Sequence, residues 1–174
     1  MSGGRFLLYW MLSFLGFPLG GVLAVVVVGP IGGVLSAALA GALAGSVIGA
    51  AQWVALRGHL GMAPGWIFAT ALGLGVGDAV GTALTGAGTG IGDLLVTGVA
   101  AGVTVGLSQW ALLRRHVPAA VPWPAVVALA WPVGWTVTWA IGVDVERGYA
   151  VFGSIGALVF AAMTGGAMLL LARL

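Results

Sequence analysis

The sequence predicts an all-helical integral membrane protein whose six transmembrane helices form three repeated hairpins. Three observations carry that expectation. The first is composition: 61% of the 174 residues are hydrophobic and 6% are charged. That is too little charge to cover a soluble surface of this size, and a mean hydropathy of +1.17 points to lipid as the solvent. The second is a set of six apolar runs, near 6–28, 31–56, 65–85, 91–113, 122–142 and 149–172. Each is close to or beyond the roughly 20 residues that span a bilayer as helix. The third is an internal repeat: positions 41–84 reappear without a gap 57 residues later, as 98–141. The pairs Gly41 and Gly98, Gly45 and Gly102, Gly49 and Gly106, Gln52 and Gln109, Trp53 and Trp110, Arg57 and Arg114, His59 and His116, and Trp66 and Trp123 are all identical. Such a repeat settles architecture before local reading does. No ten-residue alternation of the β-barrel kind appears.

The first run follows Arg5 and is too long for a signal-peptide core, so it is expected to be retained. It carries Leu15, Gly16, Pro18 and Gly20 in a pattern that returns as Leu72, Gly73, Gly75 and Gly77 in the third run, and as Leu129, Ala130, Pro132 and Gly134 in the fifth. The second run places Gly41, Gly45, Gly49 and Trp53 four apart, and the fourth does the same with Gly98, Gly102, Gly106 and Trp110. A degenerate copy in the sixth, Ala157, Ala161, Gly165 and Leu169, is displaced by two further residues and ends near Arg173.

One repeat unit therefore equals two spans and two short loops. The expectation is a single transmembrane domain over 1–174, with hairpins near 5–57, 64–115 and 122–173 related by a pseudo-threefold axis along the membrane normal. Small residues four apart let helix backbones approach closely where lipid offers no hydrophobic drive. The even-numbered spans are thus expected to pack most tightly, around the axis. Gly45, Gly49, Gly102, Gly106, Gln52 and Gln109 would link the repeats.

Arginine distribution predicts orientation. With six spans, Arg5, Arg57, Arg114, Arg115 and Arg173 fall on one side with His59 and His116, against Arg147 beside Asp144 and Glu146 on the other. The arginine-rich side is expected to be cytoplasmic, and with it both termini. The expected location is a prokaryotic plasma membrane. Trp10, Trp53, Trp66, Trp110 and Trp123 all fall near the arginine end, where an aromatic belt at headgroup depth is expected. His59 and His116 read as solvated loop residues rather than ligands.

Much chemistry is excluded by what is missing. There is no cysteine, hence no disulfide, thiolate metal site or thiol nucleophile, and all six cations are Arg. Without lysine there is no P-loop lysine, Schiff base or lysine general base. The glycines Gly86, Gly88, Gly90 and Gly92 never satisfy the dinucleotide fingerprint and follow no strand. No zinc-protease motif or paired intramembrane carboxylates appear. Net charge is only +2 with no basic run, so nucleic acid is not an expected partner. No metal site is expected, and the sequence indicates no particular cofactor.

Two places break the repeat. Asp78 stands where the other hairpins have Gly21 and Trp135. An ionisable side chain at that depth costs a few kcal/mol unless paired or hydrated, and marks a functional site by default. Thr82 and Thr85 share its helix face, and Asp93, Thr97, Thr104 and Ser108 follow one face of the next span. The two strips would line an ion, proton or other polar path, or else the hydroxyls bond their own helix backbone. The second departure is Trp131, Trp135 and Trp139, spaced four apart on the fifth span. These rings would face a lipophilic ligand, a partner subunit or lipid.

The expected function is that of a non-catalytic membrane module. It would be an accessory or assembly subunit of a larger complex, holding a lipid, quinone or pigment. The alternative is a small-solute, ion or proton channel or transporter using Asp78 and the Thr/Ser path. The bilayer is the expected partner, with other membrane subunits or a second copy of the chain beside it.

Overall fold

The computed structural model describes residues 3–143 and 149–173; Asp144, Glu146 and Arg147 of the orientation argument lie outside the described residues. Every regular element among the described residues is helical, as a chain buried in lipid requires if each backbone polar group is to be satisfied within its own segment. The elements are α1 (Gly3–Leu12), α2 (Gly16–Val28), α3 (Val34–Leu60), α4 (Gly65–Thr85), α5 (Ile91–Leu113), α6 (Trp123–Ala140) and α7 (Tyr149–Ala172).

α1 and α2 form one span from Gly3 to Val28, joined by a 3-10 turn at Ser13–Leu15. Pro18 accounts for the tightening. Its ring crowds the carbonyl of Phe14 and it offers no N–H to that turn. Ser13 Oγ donates to Trp10 O at 2.6 Å just before the irregularity.

Among the described residues, five segments are long and apolar enough to cross a bilayer, which marks an integral membrane protein. The expected fifth span, 122–142, is the exception. It is realised as the 18-residue α6, which packs four Trp and two Pro into that length. Eighteen residues still rise about 27 Å, close to the thickness of the hydrocarbon core. Indole and proline simply carry less apolar weight than leucine or valine.

The helices pack in chain order. α2 contacts α3, α3 contacts α4, and so on to α7, which returns to α1 and α2 and closes a ring. Small residues set the spacing of each neighbour pair. A Cβ added at Gly45 would lie 2.8 Å from Thr70 O on α4, and one at Gly49 would lie 2.9 Å from Thr70 Cβ. Gly102 and Gly106 meet α6 in the same way, at Ala128 Cα (2.7 Å) and Pro124 Cα (2.8 Å). Gly20 abuts Ala44 on α3, and Gly73 abuts Val105 on α5.

This corrects one expectation from the sequence. The glycine faces of α3 and α5 serve contacts with the next helix along the ring, and among the described residues the backbones of α3, α5 and α7 do not approach one another. A helix with small residues on one face packs closely against whichever neighbour follows it, and needs no central axis to do so. The centre of the ring is left to long side chains at one end and to a cavity at the other.

Candidate functional site

The arginine end of the ring is closed by a hydrogen-bonded floor. Trp66 Nε1 donates to Gln52 Oε1 at 3.0 Å, and Trp123 Nε1 donates to Gln109 Oε1 at 3.1 Å. Gln109 Nε2 donates both to Gln52 Oε1 at 3.1 Å and to Thr70 Oγ1 at 3.0 Å. Trp10 Nε1 donates to Thr164 Oγ1 at 3.0 Å, joining α1 to α7. The rings of Trp10 and Trp66 stand 6.1 and 6.3 Å from Trp123, and all three are buried.

Trp10, Trp66 and Trp123 are therefore not members of an aromatic belt. An indole at this depth has an apolar body and one N–H to satisfy. Here the glutamines and Thr164 satisfy it inside the ring, so the rings turn inward rather than to the headgroups. Trp53 and Trp110 stay near the rim, with Arg57 and Arg114 stacked over them at 4.9 and 5.1 Å. His59 packs edge-on against Phe6 at 4.9 Å, and His116 Nδ1 lies 3.3 Å from Leu112 O.

Above the floor lies a cavity of about 270 Å³. Ile48 and Leu74, each one turn from Gln52 and Thr70, form its inner end, and Ala87, Gly88 and Thr89 carry it to the α4–α5 loop. Its walls divide by chemistry. Phe17, Trp131 and Trp135 form an aromatic side, while Asp78, Thr82, Thr85 and Thr97 form a polar one. Phe17 stands 5.7 Å from Trp131, and both pack on Phe160, at 5.2 and 5.0 Å. That packing fixes Trp131, which is 4% exposed.

Asp78 sits where α4 packs on α3, with Gly21 of α2 across an adjoining space. A Cβ on Gly41 would come within 2.6 Å of its Oδ2 and 2.8 Å of Leu74 O, so glycine at 41 lets the α3 backbone lie close against α4 beside the carboxylate. A smaller cavity of about 70 Å³, bounded by Gly21, Gly29 and Gly41, adjoins Asp78 as well. Asp78 Oδ1 and Trp131 Nε1 are sealed from solvent without a hydrogen-bond partner among the described residues. Unmade bonds of this kind cost on the order of 1–3 kcal/mol each, and every such group needs an explanation. Both residues line the cavity, although these two atoms are not themselves exposed to it.

The residues singled out in the sequence divide accordingly. Asp78, Thr82, Thr85 and Thr97 line the cavity together with Trp131 and Trp135, so the two departures from the repeat meet at one place. Thr104 does not line it. Its hydroxyl donates to Gly73 O on α4 at 2.7 Å and to Ala100 O on its own helix at 2.8 Å. Ser108 Oγ likewise donates to Thr104 O at 2.8 Å. Asp93 lies in the first turn of α5 against Gly88 of the α4–α5 loop. Trp139 is 48% exposed on the outside of α6. No group of three His, Cys, Asp or Glu side chains able to hold a metal ion occurs among the described residues.

Sequence reading missed Phe17, and it missed the part of Thr70 and Thr164 in the floor. A signal for the floor was present, since Trp66 and Trp123 each stand 14 residues after a glutamine. Phe17 gave none, because one more phenylalanine in an apolar run is invisible without its neighbours. No protein-family model, no curated protein and no solved structure matches this chain.

Proposed function

We propose that this chain is a non-catalytic polytopic membrane protein that holds a small lipophilic molecule within its helical ring, as an accessory or assembly subunit of a larger membrane complex. The observation that carries the reading is the shared cavity. Asp78, Trp131 and Trp135, three of the residues singled out as departures from the repeat, line the same space. A largely apolar pocket with a few convergent polar groups has the composition of a small-molecule site. The exposed apolar side chains around the ring, such as Leu19, Val26, Phe68, Leu84 and Leu170, suit lipid or neighbouring subunits equally well.

The frame for this site is three hairpins in pseudo-threefold arrangement, near 5–57, 64–115 and 122–173. The 57-residue register supports it, as do the paired Trp66–Gln52 and Trp123–Gln109 bonds. Both termini lie on the cytoplasmic side. In that orientation the floor is cytoplasmic and the cavity faces outward.

Purification in mild detergent, followed by mass spectrometry and an absorption spectrum, tests the reading. A stoichiometric lipophilic molecule is expected in wild type and reduced in Trp135→Ala. Equal retention by the variant, or no bound molecule at all, counts against it.

A second reading, transport of a small solute, ion or proton, draws on the hydroxyls of Thr82, Thr85 and Thr97 beside Asp78. The floor blocks a continuous path, so transport requires Gln52 and Gln109 to part. Flux in proteoliposomes that Asp78→Asn alters without unfolding the protein supports this reading; no flux in either form removes it.

A further inference from the structure

We propose that the cavity is a site for a lipophilic organic monocation, a protonated or quaternary amine with an aromatic or branched body, and that Asp78 is its counter-ion. The proposal rests on reading the cavity as a ligand site, and adds the charge and size of what it takes.

Charge comes first. Asp78 is the ionisable side chain among the cavity-lining residues, and no ion pair reaches it among the described residues. Arg57 and Arg114 are stacked on Trp53 and Trp110 at the opposite end, beyond the floor. An ionised carboxylate away from bulk water needs a partner of opposite charge or several donors, and its Oδ1 has neither among the described residues. A neutral guest suits the carboxyl only in its protonated form, and an anionic one worsens the imbalance of the ionised form. A cation balances it.

The rest of the wall then decides what kind of cation. Indole and phenyl rings attract cations to their electron-rich faces, more strongly when both are desolvated. Phe17, Trp131 and Trp135 supply three such rings. Ala44, Ile48 and Leu74 complete the inner end with nothing to replace the water around a small inorganic ion. Thr85 already commits its hydroxyl proton to Gly81 O at 2.9 Å. A metal ion that wants six or more oxygens finds one carboxylate and a few hydroxyls. A cation that carries its own apolar shell finds a complementary wall.

Size limits the guest further. A cavity of about 150 Å³ accommodates benzene, so about 270 Å³ suits a guest somewhat less than twice that size. Benzyltrimethylammonium is a suitable probe. Neopentylbenzene, in which carbon replaces the nitrogen, has the same shape without the charge.

Calorimetric titration of the purified protein in detergent with these two probes tests the proposal. Wild type is expected to bind the cation at least about tenfold more tightly than the neutral probe. Asp78→Asn, of equal shape, is expected to lose that preference, so that it binds the two probes with similar affinity. Asp78→Glu is expected to keep part of it. Equal or tighter binding of the neutral probe by wild type overturns the cation assignment and leaves the ligand-holding reading standing. If neither probe binds, both fall. The wild-type comparison decides alone if Asp78→Asn does not fold.

Discussion

Gln109 Nε2 donates to Gln52 Oε1 at 3.1 Å, a bond between residues 57 positions apart that joins α5 to α3 across the ring. Gln52 Oε1 also accepts from Trp66, so a single oxygen holds two donors from different helices. Truncating it strands the Trp66 N–H and leaves Gln109 Nε2 with Thr70 Oγ1 alone. Gln52→Leu is expected to destabilise the protein by about 1–3 kcal/mol in a detergent denaturation series, more than an average membrane hydrogen bond. Gln109→Leu should cost a similar amount, and the double variant less than the sum because the shared bond is lost only once. Strict additivity would show that the two side chains are not coupled.

Two tryptophans of equal bulk separate hydrogen bonding from packing. Trp123 Nε1 is bonded to Gln109 Oε1, whereas Trp131 Nε1 has no partner among the described residues. Replacing each by Phe removes similar ring area. Trp123→Phe additionally strands a glutamine oxygen, while Trp131→Phe deletes a donor that has no partner among the described residues. Thermal denaturation is expected to place Trp123→Phe about 1–3 kcal/mol below wild type and Trp131→Phe about 1 kcal/mol or more above Trp123→Phe. The reverse order would mean that the floor contributes through shape alone.

The glycines make a similar contrast. At Gly45 an added Cβ would lie 2.8 Å from the Thr70 carbonyl and 2.9 Å from Ala71 Cα, both backbone atoms that a side-chain rotation cannot relieve. Gly45→Ala is expected to force α3 and α4 apart, at a cost of about 1–3 kcal/mol. At Gly166, also helical, nothing lies within 4 Å. Gly166→Ala is expected to be neutral or to stabilise by up to about 1 kcal/mol, since glycine is the poorer helix former. Equal effects at the two positions would contradict the close α3–α4 approach.

Much of this was legible in the sequence, for identifiable reasons. Composition and run length fix a helical membrane protein because lipid leaves few alternatives. Asp78 and Trp131 stood out because a repeat supplies its own control. What sequence could not give was direction. Trp66 and Trp123 sit at headgroup depth by position, yet their N–H groups find Gln52 and Gln109, and that is settled by side-chain partners far along the chain. Thr104 and Thr97 lie on one face of α5 by periodicity. One points its hydroxyl into the α4–α5 contact and the other lines the cavity, a distinction finer than helical spacing resolves. Phe17 enters only because Pro18 and the turn at Ser13–Leu15 set the course of α2.

The tryptophans of α6 test where a ligand sits. Trp135 lines the cavity and Trp139, one turn on, is 48% exposed outside it. Retention of a co-purified lipophilic molecule is expected to fall several-fold in Trp135→Ala and to stay unchanged in Trp139→Ala, measured by mass spectrometry of equal amounts of protein. Loss in Trp139→Ala alone would move the ligand to the outer face of α6, where a neighbouring subunit or an annular lipid becomes the natural occupant.

Orientation is open to direct measurement because the chain has no cysteine, so a single introduced thiol reports without background. Thr89 is exposed in the α4–α5 loop at the cavity end, and Ala119 is exposed in the α5–α6 loop at the arginine end. If the arginine-rich end is cytoplasmic, a membrane-impermeant maleimide added to intact cells should label Thr89→Cys and spare Ala119→Cys until the cells are permeabilised. The cavity then takes its guest from outside the cell, with the Gln52–Gln109 floor between it and the cytoplasm. The opposite labelling pattern would place the mouth of the cavity, and Asp78 beneath it, on the cytoplasmic side. The five arginines at the floor would then face outward against the charge bias that orients short-looped membrane helices.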